Sequence, residues 1–233
     1  MVGVSGGPDS LCMLHMLHSF NVRERKGWQL RAVHVNPGFE GWDSERVLRA
    51  CRRIGVECSA RRLSIPARHD AGSCYICARE RRRALFKAAD ELGCRKLALA
   101  HHLEDVNETF LMNLLFTSSG ATMIPCQPLF KGRMHIVRPL YYLDKKRIRH
   151  YLRHHRLHAV RNHCPRDRGS SRASVRRFLA RLATDHPRIQ NNLFSGIQNL
   201  KPEYLPRPPA TGEAEVRPYS ATVKRKRRPK AAS

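Results

Sequence analysis

Short apolar runs alternate with amphipathic stretches through the first half of the chain. Met1–Val4 reads as a strand entering the turn Ser5-Gly-Gly-Pro-Asp-Ser10, and the helix after it sets Leu11, Leu14 and Leu17 near one face. Leu30–Val35 is a second strand. Val47, Leu48, Cys51 and Ile54 then recur at helical spacing up to a stop at Gly55. Val56–Ala60 is a third strand, and the following helix aligns Leu85, Ala88, Ala89 and Leu92 ahead of Gly93. Lys96–Ala100 is a fourth strand and Leu103–Phe116 the helix after it. Alternation of this kind predicts a parallel α/β sheet with its chemistry at the carboxyl ends of the strands.

Beyond Phe116 the pattern loosens. A loop rich in Ser, Gly and Pro leads to a strand at His135–Arg138, a basic helix from Asp144 to His155, and helical stretches at Arg172–Leu182 and Ile189–Leu200. No linker separates them from what precedes, so residues 1–200 read as one domain with a basic helical C-terminal extension. Residues 201–233 hold six of the fourteen prolines and the run Lys224-Arg-Lys-Arg-Arg-Pro-Lys230, which predicts a disordered tail. There is no internal repeat.

Composition sharpens this picture. The chain has 233 residues, 41% of them hydrophobic, enough for a sizeable core. Lys and Arg total 44 against 19 acids, a net charge of +25, and the sequence pI is about 10.8. Such an excess points to a polyanionic partner. No apolar run is long enough to span a bilayer and no secretory leader is evident, so a cytoplasmic protein without a membrane partner is expected. Eight cysteines are too sparse for a disulfide scaffold.

The turn Ser5–Ser10 sits where a strand hands over to a helix. Two glycines allow a sharp bend that brings N–H groups near an anion, and Asp9 or Ser10 can cap a helix whose positive end attracts phosphate. An ordinary strand–helix turn would look much the same. The turn lacks the Lys-Ser/Thr ending of a P-loop, which favours grip on pyrophosphate over γ-phosphate transfer. Ser-Gly-Gly-x-Asp-Ser resembles the signature of the PP-loop ATP pyrophosphatases. Ala32-Val-His-Val-Asn36 resembles their second strand, which supplies backbone contacts to adenine, and Ala100-His-His-Leu-Glu-Asp-Val-Asn-Glu-Thr109 resembles the His-His block of the tRNA-modifying branch. The resemblance implies an adenine-nucleotide alpha-hydrolase-like (PP-loop, Rossmann-like) domain. It also implies ATP contacts from Ser5, Gly6, Gly7, Asp9, Ser10, His34, Ala100 and His101.

Ser73-Cys-Tyr-Ile-Cys77 opens a helix, at whose positive end thiolates are favoured. Zinc, disulfide exchange and iron–sulfur clusters all use C-x-x-C. Cys164, before Pro165, is a third candidate ligand. His163 or His69 would complete a zinc site, whereas a cubane held by three cysteines leaves one iron open to carry sulfide. Cys12, Cys51, Cys58, Cys94 and Cys126 read as buried packing. The stretch Cys74–Phe116, with Pro37-Gly-Phe39, Val137-Arg-Pro-Leu140 and Asn191–Pro202, is similar to the tRNA 2-thiocytidine synthetases. That resemblance, over residues 2 to 205, implies a 4Fe-4S cluster on Cys74, Cys77 and Cys164. It departs at Pro8, where thiolating enzymes usually have lysine and lysidine synthetases more typically have proline, and at Glu104, often aspartate. Relatives also carry a segment before the first strand.

Basic side chains crowd three helices: Arg79 and Arg81–Arg83, Lys145–Arg153, and Arg172–Arg181. Each alone reads as a solvated face; together they suit a folded RNA that presents one unpaired base. Arg79, Arg82, Lys145 and Arg176 are the expected tRNA contacts. The implied enzyme adenylates C2 of an anticodon-loop cytidine, releases pyrophosphate and inserts sulfur, with Mg2+ sharing the phosphate charge and Asp9 and Asp105 as catalytic residues. Expected partners are tRNA and a sulfur donor such as a cysteine desulfurase; a homodimer is left open. The alternatives are lysidine synthesis, thiolation through a persulfide, and a zinc-stabilised RNA-binding module without catalysis.

Overall fold

Burial on both faces of one strand sets the architecture. In β2 (Ala32–Asn36) the first four residues are all buried, so helices must cover both sides of the sheet. The structure, a computed structural model, describes residues 1–63, 74–160 and 171–205, and of Cys74 and Tyr75 only the backbone. Six strands lie in the order β3-β2-β1-β4-β6-β5. They are β1 (Val2–Gly3), β2, β3 (Cys58–Arg62), β4 (Lys96–Ala98), β5 (Cys126–Leu129) and β6 (Met134–Val137). All neighbours are parallel except β5 and β6. The chain runs outward from β1 through β2 to β3, then returns to place β4 on the other side of β1. The crevice at the carboxyl ends of β1 and β4 is therefore the topological switch point.

Alternate residues feed opposite faces. Val2, Ala32 and Ala98 pack under α1 (Pro8–Arg23), α2 (Ser44–Ile54) and α5 (Lys145–His154), joined by Leu11, Leu14, Val47 and Ile148. Val33, Val35, Leu97 and Ile136 pack under α3 (Cys74–Glu91), with Ala88 and Ala89. A third cluster, Leu103, Val106, Tyr141 and Phe194, joins α4 (Leu103–Thr117) to α7 (Ile189–Gln198). Between them in sequence lies α6 (Ser171–Asp185), and a short 3-10 turn, Pro202–Tyr204, follows α7. Residues 206–233 lie outside the described residues, and with them most of the expected disordered tail. No helix among the described residues is long and apolar enough to cross a membrane.

The expected strands and helices all form, with ends shifted by a few residues. Gly55 ends α2 in the left-handed region (φ 89°), and Asp43, unrecognised as a cap, accepts from the Arg46 N–H at 2.9 Å. One strand is missing from the sequence reading. Cys126-Gln-Pro-Leu129 forms β5 as the antiparallel partner of β6. Its proline removes a ladder donor, which only an edge strand tolerates, and so disguises it as loop. Cys126, expected to pack inside, is exposed on that edge, whereas Cys12 and Cys51 are wholly buried.

Gly6 shows what the fold demands of the turn after β1. Its φ is +88°, and a Cβ there would lie 2.6 Å from the Val47 Cγ2 of α2. Its carbonyl accepts from the Val160 N–H at 2.9 Å. Gly6→Ala is expected to lower stability in urea denaturation by about 1–2 kcal/mol from the left-handed backbone alone, with the clash in addition.

Candidate active site

The turn after β1 is braced from within. Ser5 and Ser10 hydroxyls lie 3.2 Å apart, the Gly7 N–H donates to Ser5 Oγ at 3.3 Å, and Ser10 Oγ donates back to the Gly7 carbonyl at 3.0 Å. The expectation that Asp9 or Ser10 caps α1 is therefore corrected. Gly7 takes the cap position, Pro8 fills the first turn, and no side chain caps the helix. Both side chains are turned elsewhere, Ser10 into the turn and Asp9 across the crevice, so the positive end of α1 stays open to an anion.

Opposite it, at the end of β4, His102 is buried among three carboxylates. Its Nε2 lies 3.2 Å from Asp105 Oδ2 and 3.7 Å from Asp9 Oδ2, and its Nδ1 lies 3.0 Å from Glu104 Oε2. The Nδ1 contact is close but poorly aligned, so it acts by charge more than as a directed hydrogen bond. Burial alone would depress the imidazole's pKa; Glu104, then Asp105 and Asp9, outweigh it and raise it. Burial raises Asp9 despite the pull of His102. Glu104 would also be raised by burial, but His102 and the Lys145 N–H hold it below the ordinary range. The Glu104 oxygens accept that N–H at 2.9 and 3.2 Å, tying the start of α5 to α4. Asp105 also accepts the His102 backbone N–H at 3.2 Å, closing the first turn of α4.

The two other histidines serve differently. His34 donates from Nδ1 to the Val4 carbonyl at 2.8 Å and accepts from Trp42 Nε1 at 3.1 Å. Both ring nitrogens are thus occupied within the protein, and burial depresses its pKa, so only its backbone remains for a nucleotide. His101, beside half-buried Ala100, accepts at Nδ1 from Arg138 Nε at 3.3 Å, which leaves its proton on Nε2. Burial pushes His101 down to about 4 against the pull of Asp105, and the charges of Arg138, Arg172 and Arg82 add to the shift. His101 is a neutral donor at physiological pH.

The expected RNA contacts divide. Arg79 is exposed on α3 beside Glu80, and Arg82 is exposed with its charge felt at His101. Lys145 stands at the mouth, where its charge bears on both Asp9 and His102. Arg176, exposed on α6, is also engaged within the protein. Its guanidinium binds buried Glu108 through two hydrogen bonds of 2.9 and 3.1 Å, clasping α6 to α4, and Arg172 adds a 3.1 Å bond to Thr109 Oγ1. Sequence reasoning missed Glu108 and the structural part of Glu104; their spacing of four within α4 was the available signal. It also missed Arg46, Arg49 and Arg53, which with His158 line a cleft of about 510 Å3 beside α2.

Of the three expected cluster ligands, Cys74 is the first residue of α3 and Cys77, half-buried, lies one turn on. Cys164 lies outside the described residues, as do His69 and His163. Among the described residues no group of three or more His, Cys, Asp or Glu side chains is arranged to hold a metal ion.

The PP-loop domain family matches residues 1–183, from β1 almost to the end of α6, and the chain belongs to that family. Within it the chain is similar to a tRNA-cytidine(32) 2-sulfurtransferase of Syntrophotalea carbinolica, 33% identical over 88% of this chain and 82% of the relative. A tRNA-cytidine(32) 2-sulfurtransferase of Geobacter sulfurreducens is 32% identical with the same two coverages. Among solved structures the fold matches the U34-tRNA thiolase NcsA from Methanococcus maripaludis with its 4Fe-4S cluster. That match has a TM-score of 0.68 and 23% identity over 84% of this chain and 69% of the other.

The Glu108–Arg176 clasp makes a prediction that separates it from RNA contact. Arg176→Met removes both hydrogen bonds to buried Glu108 and leaves it only Arg172, 3.9 Å away, which should cost about 2 kcal/mol in urea denaturation. Adding Glu108→Gln should recover most of that loss, an outcome foreign to a simple phosphate contact.

Proposed function

We propose that this chain is an ATP-dependent tRNA thiolation enzyme that replaces the C2 oxygen of an anticodon-loop cytidine with sulfur. The observation that carries the reading is the meeting of the Ser5–Ser10 turn with the His101–Asp105 block at the switch point. The sulfurtransferase relatives above supply the substrate class. Gly6, Gly7 and the uncapped start of α1 hold the ATP phosphates, with Lys145 adding positive charge where Pro8 offers none. Asp9, its side chain 34% exposed, is the most open of the three carboxylates. It suits Mg2+, which binds through one or two carboxylates together with substrate phosphates. The cytidine O2 attacks the α-phosphorus, a new O–P bond forms and pyrophosphate leaves. His101 Nε2–H is placed to donate to the oxygens that gain charge. A sulfur nucleophile then adds at C2 and AMP departs with the former oxygen. Asp105 orients this pair of reactants through His102.

Two thiols one turn apart at the start of a helix fit thiolate ligation, and Cys164 is the third donor of the set. A 4Fe-4S cluster on these residues would supply the sulfur nucleophile at an iron free of protein ligands. Cysteine desulfurase chemistry is the expected source of that sulfur.

The test is incubation of anaerobically purified protein with ATP, Mg2+, a sulfide source and unmodified tRNA. Pyrophosphate release and the mass of digested nucleosides are followed together. The reading predicts tRNA-dependent pyrophosphate release and a cytidine heavier by one oxygen-to-sulfur exchange. Lysine-dependent adduct formation, or tRNA binding with no pyrophosphate, would contradict it.

A further inference from the structure

At the mouth of the site one large aromatic ring is left in the open. Tyr142 is 60% exposed, whereas Leu140 and Tyr141 just before it are buried. The ring is nevertheless held firmly. It stands nearly perpendicular to Tyr141 at 4.9 Å between centroids and to Phe194 of α7 at 5.9 Å, which fixes its plane. Tyr141 is itself anchored, its hydroxyl donating to the Met123 carbonyl at 2.9 Å. The backbone on both sides is pinned as well. The Tyr141 N–H donates to the Arg138 carbonyl at 3.1 Å, and the Leu143 N–H to that of Leu140 at 2.9 Å. The Leu143 carbonyl in turn accepts the Leu103 N–H at 3.0 Å, at the start of α4.

That last bond places the backbone that carries the ring. Leu103 follows His102 directly, and Lys145, three residues after Tyr142, is hydrogen-bonded to Glu104. Tyr142 therefore lies where α4 and α5 both begin, at the edge of the His102 cluster. Lys146, Arg147 and Arg149 are exposed on the helix that follows. A rigid aromatic face beside a row of cations is the combination that binds single-stranded nucleic acid, with bases stacked on the ring and phosphates held by the charges.

Two bases reach such a site, the adenine of ATP and a base of the RNA, and the topology separates them. Adenine is expected at the end of β2, on one side of β1. Tyr142 follows β6, on the other side of β1, beyond β4. We infer that Tyr142 is a stacking platform for an unpaired base of the RNA substrate, either the reactive cytidine or the nucleotide beside it. This inference rests on the proposed tRNA activity and adds a residue that receives the substrate.

Binding of fluorescently labelled, unmodified tRNA to the wild-type protein and to Tyr142→Ala, Tyr142→Phe and Tyr142→Trp tests it, with ATP affinity measured on the same samples. Loss of the ring should weaken tRNA binding about tenfold or more, and the Phe and Trp variants should stay within about threefold of wild type. ATP affinity should not change, which also shows that the variants are folded. Wild-type binding with an unaltered Tyr142→Ala overturns the platform alone. A fall in ATP affinity with intact tRNA binding assigns the ring to adenine and overturns it too, as does a Phe variant as weak as the Ala variant. A wild-type protein that binds no tRNA overturns the proposed function and the platform together.

Discussion

One buried imidazole among three carboxylates holds the mouth of this sheet together. Asp9 comes from the first turn of α1, Glu104 and Asp105 from the first turn of α4, and His102 from the end of the connection between β4 and α4. Four ionisable groups in so small a volume are costly to desolvate; the three carboxylates share one imidazole, and backbone N–H groups add to Glu104 and Asp105. The constraint spreads outward from there. Glu104 also seats α5 through the Lys145 N–H, and Asp105 also closes the start of α4. Three helices that are distant in sequence thus begin at one point, and the phosphate-binding turn faces that point.

The same arrangement divides labour among residues that look alike in a motif. Glu104 and Glu108 are structural anchors, one for α5 and one for α6. Asp105 is engaged by His102 through both backbone and ring. Asp9 is left as the carboxylate most open to solvent, on the element that also carries Gly6 and Gly7. The histidines divide in the same way: His102 is driven toward its charged form and His101 toward its neutral one. A site for a polyanionic nucleotide then has one neutral donor, one open carboxylate and the bare end of a helix.

Much of this could be read before any coordinates. The strand–turn–helix at Met1–Ser10, the alternation up to Phe116 and the His-His block all appear where the spacing put them, because local periodicity and glycine chemistry determine them. What could not be read depends on partners far apart in the chain. Arg176 looked like one more cation on a solvated helix until Glu108, 68 residues away, took it. His34 was expected to meet adenine through its backbone; that Val4 and Trp42 occupy both its ring nitrogens no local spacing could show. Asp9 and Ser10 had the composition of caps, but His102 drew Asp9 across the crevice and Ser10 turned back onto Gly7 and Ser5 within its own turn. Strand β5 hid behind a proline that only its edge position makes acceptable. Tyr142 carried no sequence signal at all; its exposure emerges only once Tyr141 and Phe194 are packed.

His102 is the countercharge of the cluster. Urea denaturation of wild type and His102→Asn across pH, without divalent metal, measures that role. The raised imidazole pKa means its contribution is present below about 6.5 and fades as pH rises through the folded value. In the variant, carboxylates left without a cation are relieved by protonation as pH falls. The stability difference should therefore peak in mildly acid solution, just below about 6.5, and shrink both at lower pH and as pH rises through the folded value. A difference that stays constant with pH would reduce His102 to a packing residue and contradict the account.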